Sequence, residues 1–159
     1  MDTQEILNMT NNRSIPVKQR AQQLIEHGLK ELDLELGIIS HVEQDKYTVL
    51  YSNNPELIGE EFQLGVTYCQ ITLTLTQTRV LAVENFAVSE YFRHPAYKAF
   101  KLETYIGSPI TAHRKVKGTI NFTKSTKRST YFSKDEKEFV KSLGKAAEVI
   151  VNEMLTLKN

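Results

Sequence analysis

The sequence predicts an α+β fold, an antiparallel sheet with helices on one or both faces. Three observations carry that expectation. Residues 36–51 and 103–125 each read as paired strands around a short polar turn. Residues 16–33 and 133–155 instead repeat apolar side chains every three or four positions, the helical period. The 159 residues, 40% apolar and 25% charged with a net charge of +1, are the profile of one globular domain. A chain of that length buries about 70% of its unfolded surface. Helices laid on a sheet are the natural way to bury both kinds of stripe.

In chain order, residues 1–15 are polar and rich in Asn and Thr, and read as a flexible arm or an extra helical turn. Pro16 suits a helix start, and Val17, Ala21, Leu24, Ile25, Gly28, Leu29 and Leu32 mark one face of a helix ending near Asp33. Leu36–Val42 and Tyr47–Tyr51 form a hairpin with Glu43-Gln44-Asp45-Lys46 as a four-residue turn. Asn53-Asn54-Pro55 breaks the chain. The segment QITLTLTQT alternates apolar residues with Thr and reads as a strand on propensity. Arg79–Glu84 is a strand, and Ser89–Leu102 is helical in part, with Pro95 limiting where that helix starts.

The second hairpin runs from Tyr105, Ile106, Ile110 and Ala112 through His113-Arg114-Lys115 to Val116, Thr119, Ile120 and Phe122. Gly107 and Pro109 interrupt its first strand, which should bulge or lie open on one side there. Gly118 leaves the second strand bare where something approaches closely. Ser133 with Glu136 makes a capping box, and Asp135 adds charge favourable to a helix start. Phe139, Leu143, Ala146, Ile150 and Met154 then continue one apolar face, widened by Val140, Ala147, Val151 and Leu155. A stripe that wide predicts two packing partners, the sheet and a helix of a second copy, hence a homodimer through the terminal helices.

The pieces HPAYKAF, YIGSPI and KGTINF, in that order and within a match from Pro16 to Met154, resemble a GAF domain. More narrowly the chain is similar to the GAF modules of bacterial sensor kinases and diguanylate cyclases. The resemblance implies a central antiparallel sheet of about five to six strands flanked by helices, with the N- and C-terminal helices packed together. It places a helix over Thr67–Thr74, against the Thr-rich propensity there. It sets one GAF-like domain at residues 16–156 behind the arm. It implies a small-molecule sensor in signal transduction, with a kinase or cyclase as the output protein or domain. Its ligand pocket would lie between the sheet and the segment Thr67–Leu102. The residues expected to bind are Tyr68, Cys69, Asn85, Arg93, His94, Tyr97, Tyr105 and Asn121, with Arg93 suited to pair with a ligand carboxylate or phosphate.

The ligand itself stays unnamed at this point. The window Ser89–Leu102 has no cysteine, which argues against a covalent bilin, and the Asn-Lys-Phe-Asp-Glu arrangement of cyclic-nucleotide binders has no counterpart. Cys69 is the single thiol. A redox or nucleophilic enzyme built on it is the rival reading, but Thr67, Tyr68, Gln70 and Ile71 offer no cation to stabilise a thiolate. GAF-type reductases of free methionine sulfoxide use a set of cysteines. A module kept only for dimerisation is the third reading. His27, His41, His94 and His113 have no metal-ligand spacing. Lone Cys69, the lack of an apolar run of about 20 residues and the near-zero charge point to a cytoplasmic protein with neither membrane nor nucleic acid as partner. The run Arg114, Lys115, Lys117, Lys124, Lys127, Arg128 and Lys134 reads as a solvated basic edge.

Overall fold

The computed structural model describes residues 3–67, 69, 72, 80–91, 93–112 and 115–157. The elements are α1 (Thr3–Thr10), α2 (Val17–Leu32), β1 (Leu36–Glu43), β2 (Lys46–Ser52), β3 (Glu61–Gln63), β4 (Leu81–Val83), α3 (Pro95–Phe100), β5 (Thr104–Ala112), β6 (Lys115–Lys124) and α4 (Lys134–Leu157). Among the described residues the strands form one six-stranded antiparallel sheet of order β3-β2-β1-β6-β5-β4. No described helix is long and apolar enough to cross a membrane.

One face of the sheet carries the main core. Ile39, Ile106, Ile110, Ile120 and Phe122 meet Leu24 and Ile25 of α2 and Val140, Leu143, Ala147 and Ile150 of α4. Each such side chain contributes about 1.5–3 kcal/mol on burial. The α2 helix follows Pro16 and closes on Asp33, which adopts the left-handed conformation (φ 53°) and sends its N–H to the Leu29 carbonyl. The capping box of α4 is formed on both sides: Glu136 N–H donates to Ser133 Oγ at 3.0 Å, and Ser133 N–H to Glu136 Oε1 at 2.9 Å.

Residues 1–15 depart from the expected arm. Thr3–Thr10 is helical, and Ile6 is 1% exposed in the main core. The cause is Arg20, itself 1% exposed. Its Nη1 donates to the Thr10 carbonyl at 2.9 Å, its Nε to the Ile15 carbonyl at 2.8 Å, and its Nη2 to Glu153 Oε1 at 2.9 Å. The other carboxylate oxygen lies 2.7 Å from Nη1 as an ion pair off the N–H axis. One guanidinium thus joins α1, the linker and α4. This also accounts for the wide stripe on α4 within one subunit. Val151 is fully buried (0% exposed) in the shared core, and α1 packs beside it. Val140, Ala147 and Val151 of that stripe are covered inside the chain, while Phe139, Met154 and Leu155 are half-buried.

The first hairpin turns more tightly than expected: Glu43 pairs with Lys46, leaving two residues in the turn, with Gln44 at φ 56°. The ladder of β1 and β2 slips between Ile39 and Ser40, so that Tyr51 faces Ile39, Val49 faces Ser40 and Leu50 is left over. This bulge sends Leu50 and Tyr51 to the helix-covered core while Tyr47 and Val49 face the other way. Among the described residues β4 pairs with β5 as far as Gly107, and Pro109 lies beyond that pairing. The irregularity of β5 falls later, between Ile110 and Thr111. A Cβ on Gly118 would overlap the carbonyl oxygen of Ser40, the close approach its position called for. The His113-Arg114 turn lies outside the described residues.

Candidate functional site

On the face away from α2 and α4, strand alternation sets two kinds of residue side by side. Ile38 and Val42 of β1 and Tyr47 and Val49 of β2 form an apolar wall with Leu57, Phe62 and Leu64. On β6, Ile120 and Phe122 point to the main core, while Thr119, Asn121 and Thr123 form the polar row between them on the other side. Above this floor stand Phe100 of α3 and Leu102, the latter delivered by Lys101, which takes a left-handed φ of 51° just after the helix. The result is a cavity of about 230 Å³. At its rim Phe62 and Phe100 meet edge to face, with ring centroids 5.8 Å apart.

Cys69 is the hub of the floor. Its Sγ accepts from the Thr119 hydroxyl at 3.1 Å, from Asn121 Nδ2 at 3.2 Å and from the Tyr105 hydroxyl at 3.6 Å. Tyr105 in turn shares a hydrogen bond with Thr72 (2.8 Å), and Thr119 shares one with Ser40 (2.9 Å). Burial pushes the Cys69 thiol up, against the pull of Thr119, Tyr47 and Tyr105. Burial likewise raises Tyr47 and Tyr105, so all three stay protonated at neutral pH and act as neutral hydrogen-bonding groups. Cys69 and Thr72 have helical backbone, in keeping with the helix expected over Thr67–Thr74, whereas Thr67 itself is extended; residues 68, 70, 71, 73 and 74 lie outside the described residues.

Of the expected site residues, Cys69, Tyr105 and Asn121 line this cavity together. Tyr68 lies outside the described residues, and Tyr97 is placed only by its backbone, in α3. Three others are elsewhere. Arg93 is exposed and is not among the described residues lining the cavity. His94 uses its Nδ1 to accept the Ala96 N–H at 3.0 Å at the start of α3, and burial holds its pKa below the ordinary value. Asn85 belongs to a second, surface groove with Glu84, Val88, Tyr91, Arg128 and Tyr131. In the basic run, Arg128 binds both oxygens of Glu136 and stacks 4.1 Å over Phe132, so it is part of the packing and not a solvated edge. Sequence reasoning missed Tyr47, Val49, Phe62, Phe100 and Thr123. The alternation of β2 and β6 carried a signal for Tyr47, Val49 and Thr123; nothing in the sequence signalled that Phe62 and Phe100 would meet.

Fold and site together define a class: a single-sheet α+β domain, packed with helices on one face and holding a ligand-sized cavity on the other. Residues 14–152 match the family described as the GAF domain, and the chain belongs to that family. The GAF domain of an Acinetobacter phosphoenolpyruvate-protein phosphotransferase superposes with a TM-score of 0.78 at 16% identity, covering 99% of this chain and 94% of that one. A phycocyanobilin-bound GAF domain of a cyanobacterial phytochrome gives 0.74 at 14% identity, covering 99% and 97%. A type II free methionine-R-sulfoxide reductase from Thermoplasma acidophilum gives 0.66 at 14% identity, covering 86% and 93%. Likeness at these identities is a likeness of fold. No curated protein matches the chain in sequence.

Proposed function

We propose that this chain is a cytoplasmic GAF-type regulatory domain that holds a small molecule non-covalently in the cavity above β1, β2 and β6. The observation that carries the reading is the cavity itself: apolar walls and an aromatic rim above a floor whose polar groups are bonded to one another, a mostly apolar concave site. The cavity is also where a signal would start. Its roof, Phe100 and Leu102, stands over the sheet, and the helical residues Cys69 and Thr72 are hydrogen-bonded to the sheet through Thr119, Asn121 and Tyr105. A ligand that fits one arrangement of roof and sheet better than another shifts their populations by its difference in affinity. The output activity resides in another protein or domain, as the membership of regulatory and photosensory proteins among its structural neighbours suggests.

Two features argue against the alternatives. A linear tetrapyrrole exceeds a cavity of 230 Å³, which is below the roughly 300–1,000 Å³ of sites for drug-sized ligands. Catalysis through Cys69 needs a thiolate, and the raised pKa of this buried thiol opposes one. The test is native mass spectrometry of the protein purified from its own host. A non-covalent adduct should be seen, and should vanish in Ile38→Phe, which fills the cavity from β1. An adduct that persists in that variant would place the ligand elsewhere and reject the proposal.

A further inference from the structure

The two sides of the cavity rim are held very differently, and the step taken from that difference rests on the binding reading above. Among the described lining residues Phe100 is the one exposed residue, at 39%, and its ring meets that of Phe62 edge to face across the rim. Phe62 is the fixed side. It lies on β3 opposite Tyr47 in the ladder, and its ring centroid is 6.2 Å from that of Tyr47. Phe100 is the last residue of α3, whose start is anchored by Ala96, fully buried in one cluster with Phe86 and Tyr105. The chain is anchored again at Glu103. Its N–H donates to the Lys124 carbonyl at 3.1 Å, its carbonyl accepts the Phe86 N–H at 2.8 Å, and its carboxylate accepts the Ala87 N–H at 3.1 Å. Between these anchors stands Lys101, exposed and outside the lining, at φ 51°. A lysine in that left-handed region is strained, because its Cβ crowds its own backbone. Such strain persists only where surrounding contacts hold it. The contacts at hand are those of its two neighbours, Phe100 on Phe62 and Leu102 on the cluster around Phe86.

We propose that Phe100 is a gate to the cavity and that the backbone of Lys101 sets how long the gate stays shut. In the shut arrangement Lys101 is left-handed and Phe100 rests on Phe62. When Lys101 relaxes to the right-handed or extended region that lysine prefers, the last turn of α3 carries Phe100 off Phe62 and the rim opens. Ala96 and Glu103 stay where they are, so the movement is confined to one helical turn. A molecule inside touches Phe100 and Leu102 only while the gate is shut, so occupancy favours the shut state. The walls of the cavity then decide affinity, and Lys101 decides the rates of entry and release.

The probe is benzene, which an apolar cavity of about 150 Å³ already admits. Its exchange between free and bound states is followed by NMR magnetisation transfer in the full chain. Glycine adopts the left-handed region freely and valine resists it, and neither side chain at this exposed position reaches the cavity. Lys101→Gly should therefore slow both entry and release by about three- to tenfold, and Lys101→Val should speed both by about the same factor. The dissociation constant should change by less than about twofold in either, since the shut state is already the resting one. Phe100→Ala should speed exchange by about tenfold or more, and in that background the glycine and valine substitutions should no longer differ. Ile38→Phe, or Leu36→Phe should the first fail to fold, fills the cavity and should abolish the bound signal. Exchange rates that ignore both Lys101 substitutions, with binding still lost on filling, would overturn the gate and leave the cavity a binding site. A glycine–valine difference as large in Phe100→Ala as in the wild type would overturn the role of Phe100. Benzene that gives no bound signal, or one indifferent to filling, would overturn the gate and the binding reading together.

Discussion

Cys69 and Gly118 show how much a single position decides here. The Cys69 thiol accepts three hydrogen bonds, the described residues lining its site include no cation, and burial raises its pKa. Alkylation by iodoacetamide at neutral pH should therefore be slower than that of free cysteine by at least tenfold, since the thiolate is the reacting species. Rapid stoichiometric labelling of the folded chain would bring the enzymatic reading forward. Gly118 has a different task. Any side chain there meets the backbone of Ser40, which cannot yield as a flexible side chain would. Gly118→Ala should cost about 2–3 kcal/mol by forcing β1 and β6 apart, measured by urea unfolding. A cost under about 0.5 kcal/mol would show that the two strands have slack.

At the scale of elements, the hairpin of β1 and β2 holds strain that its sequence does not relieve. Gln44 occupies the first central position of a two-residue turn at φ 56°, the place such turns give to Gly. Gln44→Gly should raise stability by about 0.5–1 kcal/mol, the left-handed penalty less the entropy that Gly adds to the unfolded chain; an unchanged or lower melting temperature would contradict this. The sequence announced most of these elements. Period and capping residues gave α2, α4, both hairpins and the end of α2 at Asp33, because those signals are local. It offered α1 only as the alternative to an arm, because the helix's place depends on Arg20 reaching Thr10, Ile15 and Glu153 across the fold. The site was legible by half for the same reason. Cys69, Tyr105 and Asn121 stand out as residue types in interrupted elements. Arg93 and His94 stood out equally, but they precede α3, where His94 accepts the Ala96 N–H, and neither is among the described residues lining the cavity.

For the molecule as a whole, acid should be the informative stress. The hydrogen bond from Arg20 holds the Glu153 carboxyl below its ordinary pKa; at Glu136 burial works the other way but is outweighed by Ser133 N–H and Arg128. A carboxylate depressed in the fold lends stability above its unfolded pKa, about 4.3, and that contribution disappears as the pH falls through the lower folded value. Glu153→Gln leaves Arg20 buried beside a neutral group and should cost about 3 kcal/mol at pH 7, and the gap between the two stability curves should be smaller at about pH 3. A gap of equal size at both pH values would mean that charge is not what Glu153 supplies. Beneath this lies the partition of one sheet into a packed face and a hollow face, which β2 manages with a single surplus residue, Leu50. Because Leu50 is the unpaired residue, its loss would let Val49 and Tyr51 follow one another in ordinary alternation, still opposite Ser40 and Ile39. Loss of Thr48 would exchange the inward and outward sets at Tyr47. Chain length in this strand is therefore constrained unevenly: removal of the surplus residue leaves the cavity wall in register, while removal of Thr48 with the bulge kept turns Tyr47 to the packed face.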